Sequence, residues 1–224
     1  MPAEWQLRRK IVDIARRVHA QGFVAATDGN ISARAMGDRM FITPSGTCLG
    51  ELNPADLLYL DFERRVLAGR GRPSSELALH IEVYHQRPDV QAVIHAHPPV
   101  TNAFSFAGLS LADPVIPEVV VAFGAIPTTE YATPSSEEGP MVIRGLIRRH
   151  DVLILQRHGS LTVGADLSDA YHKLEKLEHA ARTLLAARQL GSVRELSPDE
   201  LDRLATVAEK LGYGRSRLIP PSSP

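Results

Sequence analysis

The sequence has a single cysteine, Cys48, so an internal disulfide bond is excluded. It also lacks an excess of either charge, because 25 Lys and Arg residues nearly balance 26 Asp and Glu residues. This balance argues against a nucleic-acid-binding protein. No run approaches the roughly 18 apolar residues of a membrane helix, and residues 1–6 show no apolar signal region. We therefore expect a cytoplasmic protein with no nucleic-acid or membrane partner.

The length and apolar content suit one domain, since the chain has 224 residues and 44% hydrophobic residues. Apolar residues recur every three or four positions in residues 4–21, which predicts a helix. Further helices are predicted from Ser74, at 168–190 and at 198–211, and strands at 40–43, 57–60, 90–97, 119–123 and 152–156. This irregular alternation predicts a single α/β domain in which helices flank both faces of a central mixed β-sheet. We expect the domain to span 1–215 and residues 216–224 to be a flexible tail.

Three histidines lie in or just after the ends of predicted strands, in a pattern that suits a metal site. His95 and His97 are two residues apart in a strand, so their side chains point to the same face. Two imidazoles placed in this way can share a metal ion, although a hydrogen-bonded pair at a strand end fits the same pattern. His158 ends another apolar strand and is a third candidate ligand if the two strand ends are adjacent. The other six histidines are expected to be surface or supporting residues.

A glutamate and several small turns complete the candidate site. Glu76 lies in the first turn of a predicted helix, where a helix-dipole or capping role is common. Beside a metal, the same carboxylate also suits a ligand or a base. Turns and helix starts that offer backbone N–H groups or hydroxyls favour an anion such as phosphate. In this chain they comprise Gly29, Asn30, Ser45, Gly46, Ser74 and Ser75.

Taken in order and spacing, these segments resemble the class II aldolase/adducin family, with the fuculose-phosphate aldolases most similar. The resemblance covers about residues 5–215 and rests on Thr27-Asp28-Gly29-Asn30-Ile31-Ser32, Ile42-Thr43-Pro44-Ser45-Gly46, Pro73-Ser74-Ser75-Glu76, His95-Ala96-His97, Glu130-Tyr131-Ala132-Thr133-Pro134 and His158-Gly159. It implies a lyase that cleaves a ketose 1-phosphate to dihydroxyacetone phosphate and an aldehyde through a metal-stabilised enediolate. It also implies a homotetramer with active sites at subunit interfaces.

The resemblance assigns a role to each matching residue. His95, His97 and His158 match the metal ligands, with zinc expected and manganese or cobalt as substitutes. Glu76 matches the catalytic carboxylate, which also binds the metal when substrate is absent. Thr27 joins the phosphate-binding residues named above, and Tyr213 resembles a tail tyrosine that closes over the site.

One position departs from the family pattern. The aldolase has a proton-donating tyrosine, contributed by a neighbouring subunit, about where this chain has Glu118. A glutamate there has a different reach and charge, so Glu118 is either a candidate proton donor or a surface residue beside Pro117. The sequence therefore leaves the identity of the aldehyde open.

Other activities and roles fit the same residues. A substrate resembling fuculose 1-phosphate and one resembling 5-deoxyribulose or methylthioribulose 1-phosphate are both compatible. Within the family, the alternatives are a methylthioribulose-1-phosphate dehydratase, a sugar-acid phosphate decarboxylase and a ribulose-5-phosphate 4-epimerase. A non-catalytic adducin-like interaction module is the alternative from a different class.

Overall fold

A computed structural model describes residues 3–213, which form seven helices and seven strands. The helices are α1 (Ala3–Ala20), α2 (Leu77–Gln86), α3 (Pro99–Phe106), α4 (Pro117–Phe123), α5 (Glu138–Ile147), α6 (Leu167–Leu190) and α7 (Pro198–Lys210). The strands are β1 (Asn30–Arg34), β2 (Arg39–Ile42), β3 (Leu58–Asp61), β4 (Val66–Ala68), β5 (Ala92–Ala96), β6 (Val152–Leu155) and β7 (Gly159–Gly164). The expected tail at 216–224 lies outside the described residues.

All seven strands form one sheet in the order β4-β3-β2-β1-β5-β7-β6. Each neighbouring pair in this order is antiparallel. Parallel pairing among the described residues is limited to an isolated bridge between Thr128 and Ile154. Short links join β1 to β2 and β6 to β7, and such links favour antiparallel neighbours because a parallel pair needs a long crossover. The structure confirms the predicted fold class, a single α/β domain with a central sheet flanked by helices, but the expected mixed sheet was wrong, because all its neighbouring strands are antiparallel.

Helices cover both faces of the sheet, as expected. On one face, α1 and α6 pack against a core that includes Ile11, Leu174 and Ile94. On the other face, α2 and α5 pack against a core that includes Val93. Because side chains alternate along a strand, His95 shares the face of Val93, which is the face covered by α2.

The strand order explains why distant motifs meet at one end of the sheet. Asn30 begins β1 and pairs with His95 near the end of β5. Ser160, at the start of β7, pairs with Ala96 on the other side of β5. Since these neighbours are antiparallel, the start of β1, the end of β5 and the start of β7 lie at the same edge.

The expected strand at 119–123 was wrong, because these residues belong to helix α4. Pro117 stands at the first helical position, where a missing N–H costs no hydrogen bond and the fixed φ suits a helix. Ala122 and Phe123 join the core formed with α3 and α6. A short apolar run fits a buried helix and a buried strand equally well, so the sequence pattern did not separate them.

The longest helix begins and ends at recognisable signals. The Asp166 side chain accepts a hydrogen bond from the Asp169 N–H and caps the start of α6, and Gly191 follows its last residue. Within residues 3–213, none of the helices combines the length and the apolar character that crossing a bilayer requires.

Candidate active site

The three predicted histidines converge at the end of β5. Potential ligand atoms of His95, His97 and His158 all lie within 4.8 Å of one another. The Nε2 atoms of His95 and His97 are 3.0 Å apart, close to the spacing of about 3.3 Å expected for two nitrogens on a tetrahedral zinc. His158 reaches them from the turn between β6 and β7, as adjacent strand ends require.

A hydrogen bond orients the His95 imidazole, and a carboxylate lies close to the His97 imidazole. His95 Nδ1 lies 3.0 Å from the Ser160 carbonyl oxygen. A carbonyl only accepts, so Nδ1 carries the proton and Nε2 keeps its lone pair for a metal. His97 Nδ1 lies 3.7 Å from an Asp28 carboxylate oxygen. Asp28 is the kind of carboxylate that orients a metal-bound histidine.

Burial keeps the three imidazoles neutral. Desolvation is the main cause that lowers the pKa of His95 well below its usual range, and the charges of His97 and His158 lower it further. Burial also lowers the pKa of His97 and the pKa of His158. Neutral imidazole is the form that binds a metal ion. The donor set therefore fits a divalent cation, with three nitrogen ligands and room for further ligands on the cavity side.

Two residues support the histidines from behind. The Asn102 side-chain amide on α3 donates to the His158 carbonyl oxygen over 3.1 Å. The atoms around Gly159 leave no space for a side chain, since a Cβ there would lie 2.6 Å from the Ala96 oxygen and 2.7 Å from an atom of the His97 ring. Close packing of the β6–β7 turn against β5 therefore requires glycine at this position.

Glu76 lies at the start of α2 and is held by Ser135. The Glu76 residue is buried, at 8% exposure. Its Oε1 atom accepts from the Ser135 hydroxyl over 2.9 Å and also from the Ser135 backbone N–H. Ser135 has a φ of 62°, the left-handed conformation that turns both donors toward one oxygen. The two hydrogen bonds from Ser135 therefore fix the Glu76 carboxylate in the cavity that the histidines also line.

One cavity of about 330 Å³ joins the predicted metal and phosphate residues. Its lining includes the three histidines, Glu76 and all seven predicted phosphate-binding residues, namely Thr27, Gly29, Asn30, Ser45, Gly46, Ser74 and Ser75. Asp28 and Ser135 also line it. The fold therefore brings the small turns and the histidines to one concave surface.

A glycine is required where the first turn passes β5. Gly29 has a φ of 73°, and a Cβ there would lie 2.5 Å from the Val24 side chain and 3.0 Å from the His95 backbone oxygen. A larger residue would therefore be strained and would push the turn away from β5. Gly29 keeps the turn that is predicted to bind phosphate close to the histidines.

Glu118 and Tyr213 are not among the residues that line this cavity. Glu118 is exposed in the first turn of α4. Tyr213 is half-buried and lines a separate cavity with Arg87, Asp151 and Lys173. Their catalytic roles stay predictions; for Glu118, the family resemblance places such a group across a subunit boundary.

Two residues of the site were not predicted from the sequence. Asp28 lies inside the Thr27–Ser32 motif, and its carboxylate next to a glycine turn was an available signal. Ser135 directly follows the Glu130–Pro134 segment, but nothing in the sequence indicated its contact with Glu76. That contact joins residues 59 positions apart, so only the tertiary structure reveals it.

Comparison with known proteins gives the family. Residues 9–185 match the Class II Aldolase and Adducin N-terminal domain, and the chain belongs to this family. The L-fuculose phosphate aldolase of Methanocaldococcus jannaschii is 31% identical over 178 residues, 80% of this chain and 95% of the relative. The 5-methylthioribulose-1-phosphate/5-deoxyribulose-1-phosphate aldolase of Rhodospirillum rubrum is 31% identical over 217 residues, 96% and 95% of the two chains.

A relative named for a different reaction is also similar. The 3-oxo-tetronate 4-phosphate decarboxylase of Pectobacterium atrosepticum is 27% identical over 211 residues, 92% of this chain and 95% of the relative. Among solved structures, an L-fuculose 1-phosphate aldolase aligns with a TM-score of 0.84 and 25% identity, covering 92% of this chain and 96% of that chain. The family resemblance inferred from the motifs is confirmed.

Proposed function

We propose that this protein is a zinc-dependent aldolase that cleaves a ketose 1-phosphate to dihydroxyacetone phosphate and an aldehyde. The observation that carries the proposal is one cavity lined by three neutral histidines, Glu76 and the turns predicted to bind phosphate. The aldolase relatives, which are 31% identical and whose alignments cover up to 96% of this chain, support the same reaction class.

Each part of the cavity has a distinct task in this reaction. The turns around Asn30 and Ser45, together with the Ser75 helix start, bind the phosphate and orient the sugar. His95, His97 and His158 hold the cation, which supplies Lewis-acid stabilisation of the negative charge that develops as the carbon–carbon bond breaks.

Glu76 moves the proton at the carbon that becomes nucleophilic in the synthetic direction. Ser135 holds its carboxylate through two hydrogen bonds to one oxygen, so the second oxygen is free of these contacts. The carboxylate is thereby oriented before substrate enters, which lowers the entropic cost of reaching the reactive geometry.

The test is a substrate panel with matched chelator controls. The purified protein is incubated with fuculose, ribulose, 5-deoxyribulose and methylthioribulose 1-phosphates, and dihydroxyacetone phosphate is followed with a coupled enzyme. We expect release from at least one substrate, its loss with chelator, and its recovery with added zinc. No release by the metal-loaded protein from any member would overturn the aldolase proposal, and a protein that also binds no metal would favour the adducin-like role.

Decarboxylation is the second candidate, because the tetronate-phosphate decarboxylase relative covers 92% of this chain. The same cation would stabilise the charge left when carbon dioxide departs. A 3-oxo-tetronate 4-phosphate added to the panel separates the two reactions by the co-product. Decarboxylation of this β-keto acid yields carbon dioxide and dihydroxyacetone phosphate, whereas aldol cleavage of a ketose 1-phosphate yields an aldehyde and dihydroxyacetone phosphate. Assays for dehydration of methylthioribulose 1-phosphate and for epimerisation of ribulose 5-phosphate cover the remaining family alternatives.

We also propose a homotetramer in which Glu118 of a neighbouring subunit, or else Tyr213, supplies the second proton-transfer group. The exposed position of Glu118 in α4 leaves it accessible to another subunit. Co-expressed Glu76→Gln and Glu118→Gln subunits provide the test, with light scattering to measure the assembly. Partial activity in the mixed oligomer, with little in either parent, is expected if the two residues meet across a boundary. A mixture no more active than its parents would contradict this arrangement.

The cytoplasmic location stays a prediction.

A further inference from the structure

A buried chain of polar side chains runs from the cavity into the core. His80 Nε2 lies 2.6 Å from Asn30 Oδ1, and His80 Nδ1 lies 2.7 Å from Ser32 Oγ. Ser32 Oγ lies 2.8 Å from the Tyr84 hydroxyl. His80 and Ser32 have no exposed surface, and Tyr84 and Asn30 are 2% and 5% exposed. Of the four, only Asn30 lines the cavity of the candidate active site.

The protons in this chain have a defined direction. Burial lowers the pKa of His80 to about 3, so the imidazole is neutral and has one donor and one acceptor nitrogen. The buried Tyr84 hydroxyl has one hydrogen-bond partner among the described residues, Ser32 Oγ, so its O–H donates to Ser32. The Ser32 hydroxyl then donates to His80 Nδ1, which places the proton of His80 on Nε2, where it donates to Asn30 Oδ1. Burial raises the pKa of Tyr84, which keeps its hydroxyl protonated and able to donate.

This direction matters at the cavity end. With Oδ1 of Asn30 bound to His80, the amide nitrogen is left for the cavity, where its N–H groups are donors for an anion. The reversed amide would direct the carbonyl oxygen, a partial negative charge, toward a phosphate. Without a hydrogen-bond partner, the two orientations of an asparagine amide are similar in energy. The Nε2–H donor of His80 favours the orientation in which Oδ1 points into the core.

We propose that His80 is a positioning residue that fixes the amide of Asn30 with its donors toward the phosphate of the substrate. This inference rests on the proposed function, because it assigns the phosphate-binding part of that same cavity. Asn30 begins β1 and pairs with His95 on β5. The hydrogen bond from His80 to Asn30 therefore also sets the position of the phosphate relative to the metal ligands.

The experiment measures binding of glycerol 3-phosphate, a phosphate monoester that is not a ketose, to the metal-loaded protein by titration calorimetry. His80→Leu removes the donor to Asn30, whereas His80→Gln retains an amide N–H in its place. Thr162→Val is the matched control, because it removes a different buried hydrogen bond, from Thr162 to the Ala170 carbonyl on β7 and α6. Metal content and thermal unfolding are measured for each variant.

We expect His80→Leu to weaken glycerol 3-phosphate binding at least about tenfold, the factor typical of a hydrogen bond to a charged group. Metal content should be unchanged, and the His80→Gln and Thr162→Val variants should bind within about threefold of the wild type. In turnover, His80→Leu should raise KM more than it lowers kcat. Unchanged binding by His80→Leu, or equal weakening by His80→Leu and Thr162→Val, would overturn the proposal.

If His80→Leu does not fold, Ser32→Ala tests the same chain. Removing the hydroxyl leaves Nδ1 without its donor, so the proton position on His80 is no longer fixed. Binding of glycerol 3-phosphate should then weaken more than in Thr162→Val, and wild-type binding by Ser32→Ala would overturn the proposal. Wild-type protein that releases dihydroxyacetone phosphate but does not bind glycerol 3-phosphate would overturn the His80 assignment alone. Failure of the substrate panel, by contrast, addresses the proposed reaction.

Discussion

The Nε2 atoms of His95 and His97 face each other across 3.0 Å at the end of β5. His95 Nε2 has no proton, because its Nδ1 donates to the Ser160 carbonyl. At this distance His97 Nε2–H donates to the lone pair of His95 Nε2, and a divalent cation bound between the two nitrogens would replace that proton. The pair is therefore organised for a metal before one is bound.

Replacing the third histidine should remove the metal. His158→Ala leaves two nitrogen ligands from the cluster, so we expect a loss of affinity greater than the roughly tenfold to hundredfold caused by supporting residues. Metal content after dialysis, measured by inductively coupled plasma mass spectrometry, should fall well below one equivalent, and activity should fall at least about hundredfold. His179→Ala, an exposed histidine on α6, is the control and should keep both. Full metal retention by His158→Ala would remove it from the ligand set.

Removing the Ser135 hydroxyl should impair catalysis more than metal binding. Ser135→Ala loses one of two hydrogen bonds to the Glu76 carboxylate, and a bond to a charged group contributes about 1.5–3 kcal/mol. We expect kcat to fall about tenfold with metal content unchanged. Ser136→Ala is a close control, since the Ser136 hydroxyl donates to the Thr133 carbonyl instead. Equal kcat values for the two variants would show that the hydroxyl does not orient Glu76.

A side chain at Gly159 should separate the β6–β7 turn from β5. Because its Cβ would lie 2.6 Å from the Ala96 oxygen, Gly159→Ala should destabilise the fold by about 1–3 kcal/mol, as overpacking does. Metal affinity should weaken as His158 moves. Gly145→Ala, on α5 with no atom within 4 Å of its added Cβ, should stabilise by about 0.5–1 kcal/mol. Urea unfolding measures both, and a Gly159→Ala protein as stable as wild type would contradict the packing argument.

Stability should fall as the pH drops below about 6.5, partly because of His80. Its pKa is about 3 in the folded protein and 6.5 without the fold, so the unfolded chain binds more protons between these values. Stability therefore rises with pH across this window and is lost as pH falls. At pH 5 the expected loss from His80 is about 2 kcal/mol, since each unit of pKa difference contributes about 1.4 kcal/mol.

His80→Gln removes this titration and should show a smaller loss of unfolding free energy between pH 7 and pH 5 than the wild type. Urea unfolding of metal-free protein at the two pH values gives the difference. His85→Gln, at an exposed position of the same helix, should behave like the wild type. An identical pH dependence for His80→Gln and wild type would show that the buried histidine is not the source.

Short-range sequence patterns predicted much of the fold. The apolar period of 4–21 gave α1, and residues 168–190 and 198–211 gave α6 and α7 within one residue at each end. Local spacing also placed His95 and His97 on one face of a strand, because strand side chains alternate. The pattern was wrong at 119–123, where a five-residue apolar run does not distinguish a buried helix from a strand.

The sequence by itself determined the chemical types at the site and the family to which the chain belongs. Only the tertiary structure decided which loops approach one another, because the antiparallel order of β1, β5 and β7 brings their ends to one edge. It also decided the contacts from Ser135 to Glu76 and from His80 to Asn30, which join residues 59 and 50 positions apart. Such contacts depend on packing between elements, so no local period or turn signal in the sequence encodes them.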